Sequence, residues 1–287
     1  MTNKPDLPLV LGGHSFIQQL GNDPRPSPAE QVALVAACLD HGLCWFDTTY
    51  QPERVALGQA LAALGRRPAA TILAWNFFVD FDDVGRVGGP AYYQPHHIEQ
   101  MLEQLQTSWI DGLVVHNLAD PDENQRQLAL AHTWQARGYV RRIGLWHPPA
   151  NAAQAYAGSA ISFMVSPYNS TTPEAGQIFA ASRALGWENL ACSPFVRGWE
   201  LDKLAERAQQ AHGISAPAAR RQAADILLRY ALYQPNVDRL IVSIRRLEWI
   251  EQNIASVQRG PLVPAELAWL GLESPAADPP APLTPSG

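Results

Sequence analysis

The strongest constraint on the fold is a regular alternation between short apolar runs and longer stretches with helical periodicity. The apolar runs are Leu7–Leu11, Gly42–Phe46, Thr71–Trp75, Asp111–His116, Val140–Leu145, Ile161–Val165, Leu190–Cys192 and Val237–Ser243. The helical stretches are Ser27–Asp40, Pro52–Leu64, Pro95–Thr107, Asp122–Ala136, Asn151–Tyr156, Pro173–Leu185, a broken region at Asp202–Leu232, and Leu247–Val257. Strict alternation of this kind predicts an α/β protein with a parallel sheet.

Eight strand–helix units within 287 residues favour a closed, parallel eight-stranded (β/α)8 TIM barrel over an open doubly wound sheet. An ordinary open α/β domain is the alternative. The first apolar run is followed by Gly12-Gly13-His14, which does not match the GxGxxG pattern of dinucleotide-binding open sheets. We predict one barrel domain over residues 1–272 and a disordered tail, rich in Pro and Ala, over residues 273–287.

Composition excludes several classes of partner. The net charge is −6 and no Lys/Arg block occurs, so neither nucleic acid nor an anionic membrane is an expected partner. No apolar run approaches the roughly 18 residues that span a bilayer. Cys38, Cys44 and Cys192 lack metal-site spacing and cannot all pair, which favours free thiols in a reducing cytoplasm. A small molecule is the expected partner, and the sequence carries no signal for an oligomeric state.

Polar and aromatic residues follow the apolar runs, where a barrel places its reactive groups. Asp47, Tyr50 and His116 are suited to proton transfer. Trp rings supply flat walls for an apolar or aromatic ligand. The candidate pocket residues are His14, Trp75, Asn76, Trp146, His147, Tyr168 and Trp199.

Structural roles compete with these assignments. His116 follows an apolar run and is also typical of a hydrogen-bonded core histidine, and Trp75 and Trp146 are equally consistent with barrel packing. Cys192 is more typical of a small buried residue than of a nucleophile. Asp47 leaves a buried strand directly after Phe46, so its carboxylate needs a partner, either functional or structural.

Several segments, in order along the chain, resemble the aldo-keto reductase family. The first is a strand ending in Phe-Asp-Thr, followed by Tyr50, Glu53 and Leu57-Gly58. The others are Trp109–Asn117, Gly138–Leu145, Pro167–Asn169, Ser193–Phe195 with Gly198, and Ile241–Arg245 through Gln252-Asn253. The resemblance covers about residues 7 to 258 and implies the same (β/α)8 fold.

The resemblance also implies a mechanism, and the chain departs from it. The family reduces carbonyls with NADPH through an Asp, Tyr, Lys and His set, and Asp47, Tyr50 and His116 match three of the four by position. The Lys should end the third strand, where Trp75-Asn76 stands instead. Without that cation, a tyrosine with an ordinary pKa near 10 is a poor acid–base group at neutral pH. The loop between Asp47 and Glu53 is also shorter than in the family, by about three residues, which leaves the placement of Tyr50 open.

The two ends of the implied cofactor site differ. At the nicotinamide end, Trp146-His147 stands where the family has Ser-Asn, Val165 where it has Gln, and Cys192 where it has a stacking Tyr. At the adenosine end, Arg245 matches the residue that contacts the 2′-phosphate. Ser193, Gln252 and Asn253 complete the implied cofactor-binding set.

Three functions follow as alternatives. The absence of the lysine and of the nicotinamide contacts favours an enzyme that performs redox-neutral acid–base chemistry on a carbonyl or hydroxyl compound. Elimination, isomerisation and cyclisation are examples of such chemistry. The second is a divergent NADPH-dependent carbonyl reductase, and the third a non-catalytic ligand-binding barrel. A variant of the first function adds a divalent ion, held by His14, Asp47, His116 and His147.

Overall fold

A computed structural model describes residues 6–18, 24–75, 92–116, 120–150, 156 and 159–270. Eight parallel strands hydrogen-bond in chain order, and the last closes onto the first. They are β1 (Leu9–Leu11), β2 (Trp45–Thr48), β3 (Thr71–Trp75), β4 (Ile110–His116), β5 (Val140–Trp146), β6 (Ile161–Pro167), β7 (Glu188–Cys192) and β8 (Arg239–Val242). The prediction of a closed (β/α)8 barrel is confirmed, and the open-sheet alternative is wrong.

Helices surround the barrel at nearly the predicted places. They are α1 (Pro28–His41), α2 (Gln51–Leu64), α3 (His97–Gln104), α4 (Pro121–Ala136), α5 (Ala175–Ala184), α6 (Trp199–His212), α7 (Ala216–Leu232), α8 (Leu247–Arg259) and α9 (Pro264–Trp269). The predicted break within Asp202–Leu232 falls at Gly213, whose φ of 62° ends α6. The sequence analysis missed α9. Most of the helix predicted at Asn151–Tyr156, and the tail at 273–287, lie outside the described residues.

The start of α1 shows how local sequence sets a boundary. The backbone N–H of Ser27 donates to the Glu30 carboxylate at 2.7 Å, and the N–H of Glu30 donates to the Ser27 hydroxyl at 3.4 Å. This reciprocal capping box satisfies two of the amides that a helix start leaves without partners. Pro28, at the first helical position, has no amide to satisfy. The boundary predicted from the sequence is therefore confirmed.

Side chains alternate between the barrel interior and the layer under the helices. The inward set includes Val10, Leu73, Val114, Phe163, Val165, Leu190 and Ile241, and the outward set includes Leu9, Phe46, Ile72, Leu113, Met164 and Leu240. Successive residues of a strand point to opposite faces. The inward residue nearest the C-terminal end of each strand therefore faces the mouth of the barrel.

Phe163 fills the middle of the interior because its neighbours are glycines. A Cβ added to Gly144 would lie 2.3 Å from a ring carbon of Phe163, and one added to Gly112 would lie 2.5 Å from Leu73 Cδ2 and 3.0 Å from the Phe163 ring. The large ring and the two missing side chains thus form one packing unit.

Charged side chains close the N-terminal end of the barrel. Glu188 accepts hydrogen bonds from Arg142 at 2.7 Å and from Arg239 at 2.9 Å. The Arg239 guanidinium also lies 4.0 Å from the centre of the Trp45 ring. These groups fill the N-terminal end of the interior, and barrels of this type carry their reactive groups at the opposite, C-terminal end.

We predict that Gly144→Ala lowers the free energy of unfolding by about 1–3 kcal/mol, because the new methyl group overlaps the Phe163 ring. Urea denaturation followed by circular dichroism measures the effect. The double variant Gly144→Ala/Phe163→Leu should recover part of the loss, since the smaller side chain leaves room for the methyl. A Gly144→Ala protein as stable as the wild type would contradict this packing account.

Candidate active site

Five inward side chains lie at the C-terminal end of the barrel. They are Asp47 of β2, Trp75 of β3, His116 of β4, Trp146 of β5 and Cys192 of β7. The strands are parallel, so their C-terminal ends share one rim. Asp47, Trp75, His116 and Cys192 are each less than a tenth exposed, and Trp146 is half-buried. The rim therefore carries a compact set of aromatic and titratable groups.

Asp47 is bonded to an indole where the family resemblance implied a lysine. Trp75 Nε1 donates a short hydrogen bond to Asp47 Oδ1. Burial raises the pKa of Asp47 to about 7, and the nearby Glu53 charge adds to the rise. The bond from Trp75, the charge of His14 and the Gly13 amide act in the opposite direction without cancelling it. Asp47 can therefore gain or lose a proton close to neutral pH.

Glu53 joins the loops after β1 and β2 to the start of α2. Its side chain is fully buried and accepts from the backbone amides of Thr49 at 2.6 Å and Tyr50 at 3.1 Å. It also bonds His14 Nδ1 at 2.9 Å. A Cβ on Gly13 would lie 2.1 Å from Glu53 Oε2, so only glycine fits there. The sequence analysis used Glu53 as a motif residue but did not place it in the site. The sequence did contain a signal for this role, because Glu53 lies in the first turn of a helix next to a polar loop.

His14 is a partly exposed titratable group of the site. Burial lowers its pKa, but the charge and hydrogen bond of Glu53, together with Asp47, outweigh burial and raise the pKa above its ordinary value. The His14 side chain is 28% exposed. Its ring stacks on the Tyr50 ring, with centroids 5.6 Å apart. Glu53 therefore favours the protonated form of His14, and the imidazole lies beside a phenol.

Tyr50 lies at the N-cap of α2 with its side chain in the interior cluster. The shortened loop thus still delivers this residue to the mouth. Burial and the Glu53 charge raise the pKa of Tyr50 to about 12, although the charge of Arg197 acts in the opposite direction. At neutral pH, Tyr50 is a neutral phenol that can donate a hydrogen bond but titrates poorly.

His116 and the two tryptophans form an aromatic wall. The Trp75 and Trp146 rings lie 4.8 Å apart, and His116 lies 5.9 Å from each of them between centroids. Burial lowers the pKa of His116 to about 4, so its imidazole is neutral at pH 7. A neutral imidazole can orient a carbonyl or hydroxyl group by hydrogen bonding.

Of three further candidate pocket residues, two are exposed and one lies outside the described residues. His147, with a φ of 40°, is exposed and hydrogen-bonds the Ser166 hydroxyl through Nδ1 at 2.7 Å. Trp199 is 66% exposed at the start of α6. Asn76 lies outside the described residues.

Tyr168 does not lie at the mouth. Its ring packs on Phe179 and stacks on Tyr230, with Tyr168 and Tyr230 centroids 5.4 Å apart, in the layer under the helices. Tyr168 is three residues after the inward-facing Val165, so strand alternation directs it outward. The pocket assignment followed the position after the strand and overlooked this parity.

The residues assigned to cofactor binding lie near the start of α8. Arg245 Nη2 donates to the carbonyl of His14 at 3.0 Å. Gln252 is exposed and Asn253 half-buried on α8, and Ser193 follows β7 with a φ of 59°. A cavity of about 390 Å³ lies between the starts of α1 and α8 and is lined by Pro24, Arg25, Pro26, Glu30, Ala33, Leu34, Arg245, Arg246, Leu247 and Glu248. Ser193, Gln252 and Asn253 do not line this cavity.

The sequence matches the family model described as "Aldo/keto reductase family" over residues 8–270. The chain belongs to the aldo/keto reductase family. A segment of 149 residues is 28% identical to D-arabinose 1-dehydrogenase of Saccharomyces cerevisiae, which covers 48% of this chain and 42% of that protein. The match thus spans less than half the length of this curated relative.

Solved structures share the architecture. Two structures from Pseudomonas aeruginosa, both described provisionally as aldo-keto reductases, align with TM-scores of 0.64 and 0.65 at 17% and 18% identity. Each alignment covers 88% of this chain and 89% of the other. At this identity the likeness establishes the fold alone.

The described residues contain no group of three or more His, Cys, Asp or Glu side chains arranged to hold a metal ion. Over the same part of the chain, no helix is long and apolar enough to cross a membrane.

We predict that Asp47→Asn becomes more stable, relative to the wild type, as pH rises from 5 to 9. The folded-state pKa of Asp47 is about 7, above its ordinary value near 4. Burial therefore favours the protonated carboxyl, and its contribution to stability is full below pH 4 and is lost as pH rises through about 7. The Asn amide oxygen can still accept from Trp75. Parallel urea titrations at several pH values measure the difference, and a difference independent of pH would contradict the raised pKa.

Proposed function

We propose that this family member performs redox-neutral acid–base chemistry on a small carbonyl or hydroxyl compound at the mouth of the barrel. Asp47 and the Glu53-paired His14 would exchange protons with the substrate. Tyr50 and His116 would orient its oxygen atoms. The observation that carries this proposal is the hydrogen bond of Asp47 to the Trp75 indole, because a neutral partner leaves the carboxylate able to act as a base.

The surroundings raise the pKa of both acid–base groups. Glu53 favours the protonated form of His14, and burial raises the pKa of Asp47 to about 7. An imidazole paired with a carboxylate and a carboxyl group that titrates near neutral pH can serve as an acid and a base in one site. His14 is therefore proposed as the acid that protonates a leaving or enolate oxygen, and Asp47 as the base that removes a proton from carbon.

Tyr50 and His116 are proposed as hydrogen-bonding groups. The phenol of Tyr50 has a pKa of about 12, and burial keeps the His116 imidazole neutral. Each can donate to a developing negative charge on oxygen without first losing a proton. Elimination, isomerisation and cyclisation all need such stabilisation, and none needs a hydride donor.

The family resemblance implies NADP(H), which carries a hydride when bound, and the two ends of the site fit this group unequally. At the rim, Trp146 packs against Trp75, while Val165 and Cys192 are buried apolar neighbours. These side chains lack the amide and hydroxyl groups that would hold a carboxamide. Arg245 and Arg246, beside the cavity at the start of α8, suit a phosphate. The nicotinamide end does not fit, so the proposed chemistry includes no hydride transfer.

A divergent NADPH-dependent reductase is the second candidate. The arginine-lined cavity beside α8 favours it, as does the dehydrogenase activity named for the yeast relative. In that case His14, which stacks on Tyr50, would supply the positive charge that a lysine supplies in the family. The site then retains a cation next to its phenol.

Solvent deuterium exchange separates the two candidates. We expect the protein, without added nicotinamide cofactor, to incorporate deuterium from D₂O at the carbon next to the carbonyl in members of a panel of 2-keto acids and aldoses. NMR measures the exchange. Asp47→Asn and His14→Gln should each slow it by about a hundredfold or more, because each removes a group that transfers protons.

His132→Gln, on α4 and away from the mouth, is the matched control and should leave exchange unchanged. Turnover of the panel that occurs only with NADPH, and no exchange without it, would overturn the proposal in favour of the reductase. Full exchange in the Asp47→Asn and His14→Gln variants would show that these residues are not the acid and base.

A further inference from the structure

The chain turns sharply directly after Trp146, at the end of β5. His147 has a φ of 40°, in the left-handed region that residues with a Cβ seldom adopt. Its backbone amide donates to the Val165 carbonyl at 2.8 Å, which extends the pairing of β5 with β6 by one residue. The residue next to Trp146 is therefore held in a strained conformation, and such a conformation persists only where neighbouring contacts enforce it.

A side chain of β6 supplies one of these contacts. The Ser166 hydroxyl lies 2.7 Å from His147 Nδ1, within hydrogen-bonding distance. Ser166 is fully buried and pairs with Ala191 of β7, so the sheet fixes its position. His147 is exposed, so the buried hydroxyl anchors the imidazole of a residue that solvent would otherwise leave free to turn.

Trp146 is the most exposed member of the aromatic wall at the rim. Its ring centroid lies 4.8 Å from that of Trp75 and 5.9 Å from that of His116. Trp75 and His116 are less than a tenth exposed, whereas Trp146 is half-buried. The Trp146 indole therefore contributes to the burial of both rings. Since Trp75 donates its indole hydrogen bond to Asp47, Trp146 is one contact away from the proposed base.

We propose that Ser166 and His147 are positioning residues that hold the Trp146 indole against the aromatic wall. In this position the indole keeps water from the hydrogen bond between Trp75 and Asp47. The inference rests on the proposed function, since it assigns residues that support the same base. Water beside a buried carboxyl group stabilises its charged form, so a displaced indole would lower the pKa of Asp47 toward its ordinary value.

The contact between Trp75 and Trp146 supplies a spectroscopic signal for the position of the indole. Two indole rings in contact and inclined at 62° couple their ultraviolet transitions, which produces two circular dichroism bands of opposite sign. The wild-type spectrum minus that of Trp146→Phe isolates this couplet from the signals of the other tryptophans. We expect Ser166→Ala to lose most of the couplet, because the imidazole is released and the strained turn relaxes.

Two substitutions of His147 separate the backbone conformation from the hydrogen bond. Both remove the imidazole, but glycine adopts a positive φ at no steric cost, whereas valine hardly ever does. His147→Gly, alone or combined with Ser166→Ala, should therefore retain most of the couplet, and His147→Val should lose it. Ser256→Ala, at another buried serine on α8, is the matched control and should leave the couplet unchanged.

The titration of Asp47 tests whether the indole keeps water from the carboxyl group. The ionisable side chains that act on Asp47 are Glu53 and His14, and Asp47 in turn acts on Cys192. Ser166→Ala alters none of them. In this variant the affinity of Asp47 for a proton should fall about tenfold, because water stabilises the carboxylate. The stability that Asp47→Asn gains with rising pH, relative to its parent, should then be smaller in the Ser166→Ala background, and urea titrations measure it.

A full couplet in either Ser166→Ala or His147→Val would overturn the inference, as would loss of the couplet in His147→Gly. An unchanged proton affinity of Asp47 in a variant that has lost the couplet would contradict the role of the indole in excluding water.

Neither measurement needs turnover, so their outcomes are independent of the deuterium-exchange test. If both behave as expected but no exchange occurs, the positioning role stands and the proposed chemistry fails. If exchange depends on Asp47 and His14 but the couplet is unchanged in Ser166→Ala, the proposed function stands and the positioning inference fails.

Discussion

Strand β1 hydrogen-bonds to β2 on one side and to β8 on the other, and this closure controls the rest of the molecule. The Leu240 amide donates to the Pro8 carbonyl and the Gly12 amide to the Val242 carbonyl, both at 2.9 Å. Once the sheet is closed, every second side chain of a strand points into the interior. There these side chains must pack against one another. Phe163 fits because Gly112 and Gly144 have no side chains to oppose it.

Closure also decides where chemistry can occur. Glu188 and its two arginines fill the N-terminal end of the interior, and barrels of this type carry their reactive groups on the C-terminal rim. On this rim, the position where the family resemblance implies a lysine is filled by another side chain. Trp75 occupies the end of β3 and bonds Asp47, and Trp146 packs on Trp75. The rim of this family member is therefore aromatic where the family resemblance implies an ion pair.

Removing a cation from beside a buried carboxylate changes the electrostatics of all its neighbours. The Glu53 charge adds to the rise in the pKa of Asp47, and both carboxylates favour the protonated form of His14. The Tyr50 ring stacks on the His14 ring, and burial and the Glu53 charge raise the pKa of the phenol. The P. aeruginosa structures share the barrel at under a fifth sequence identity, which illustrates that a fold of this type persists while the groups on its rim change.

The sequence by itself determined the eight strand–helix units, the capping box at Ser27 and Glu30, the family resemblance and the absence of a lysine after β3, because each depends on local patterns. Only the tertiary structure decided that Glu53 binds His14 across 39 positions of the chain and that Tyr168 packs on Phe179 and Tyr230 under the helices. These features depend on strand parity and on which loops meet above a closed barrel. Parity follows from the period of two along a strand once one inward residue is known, whereas the meeting of loops is set by long-range packing.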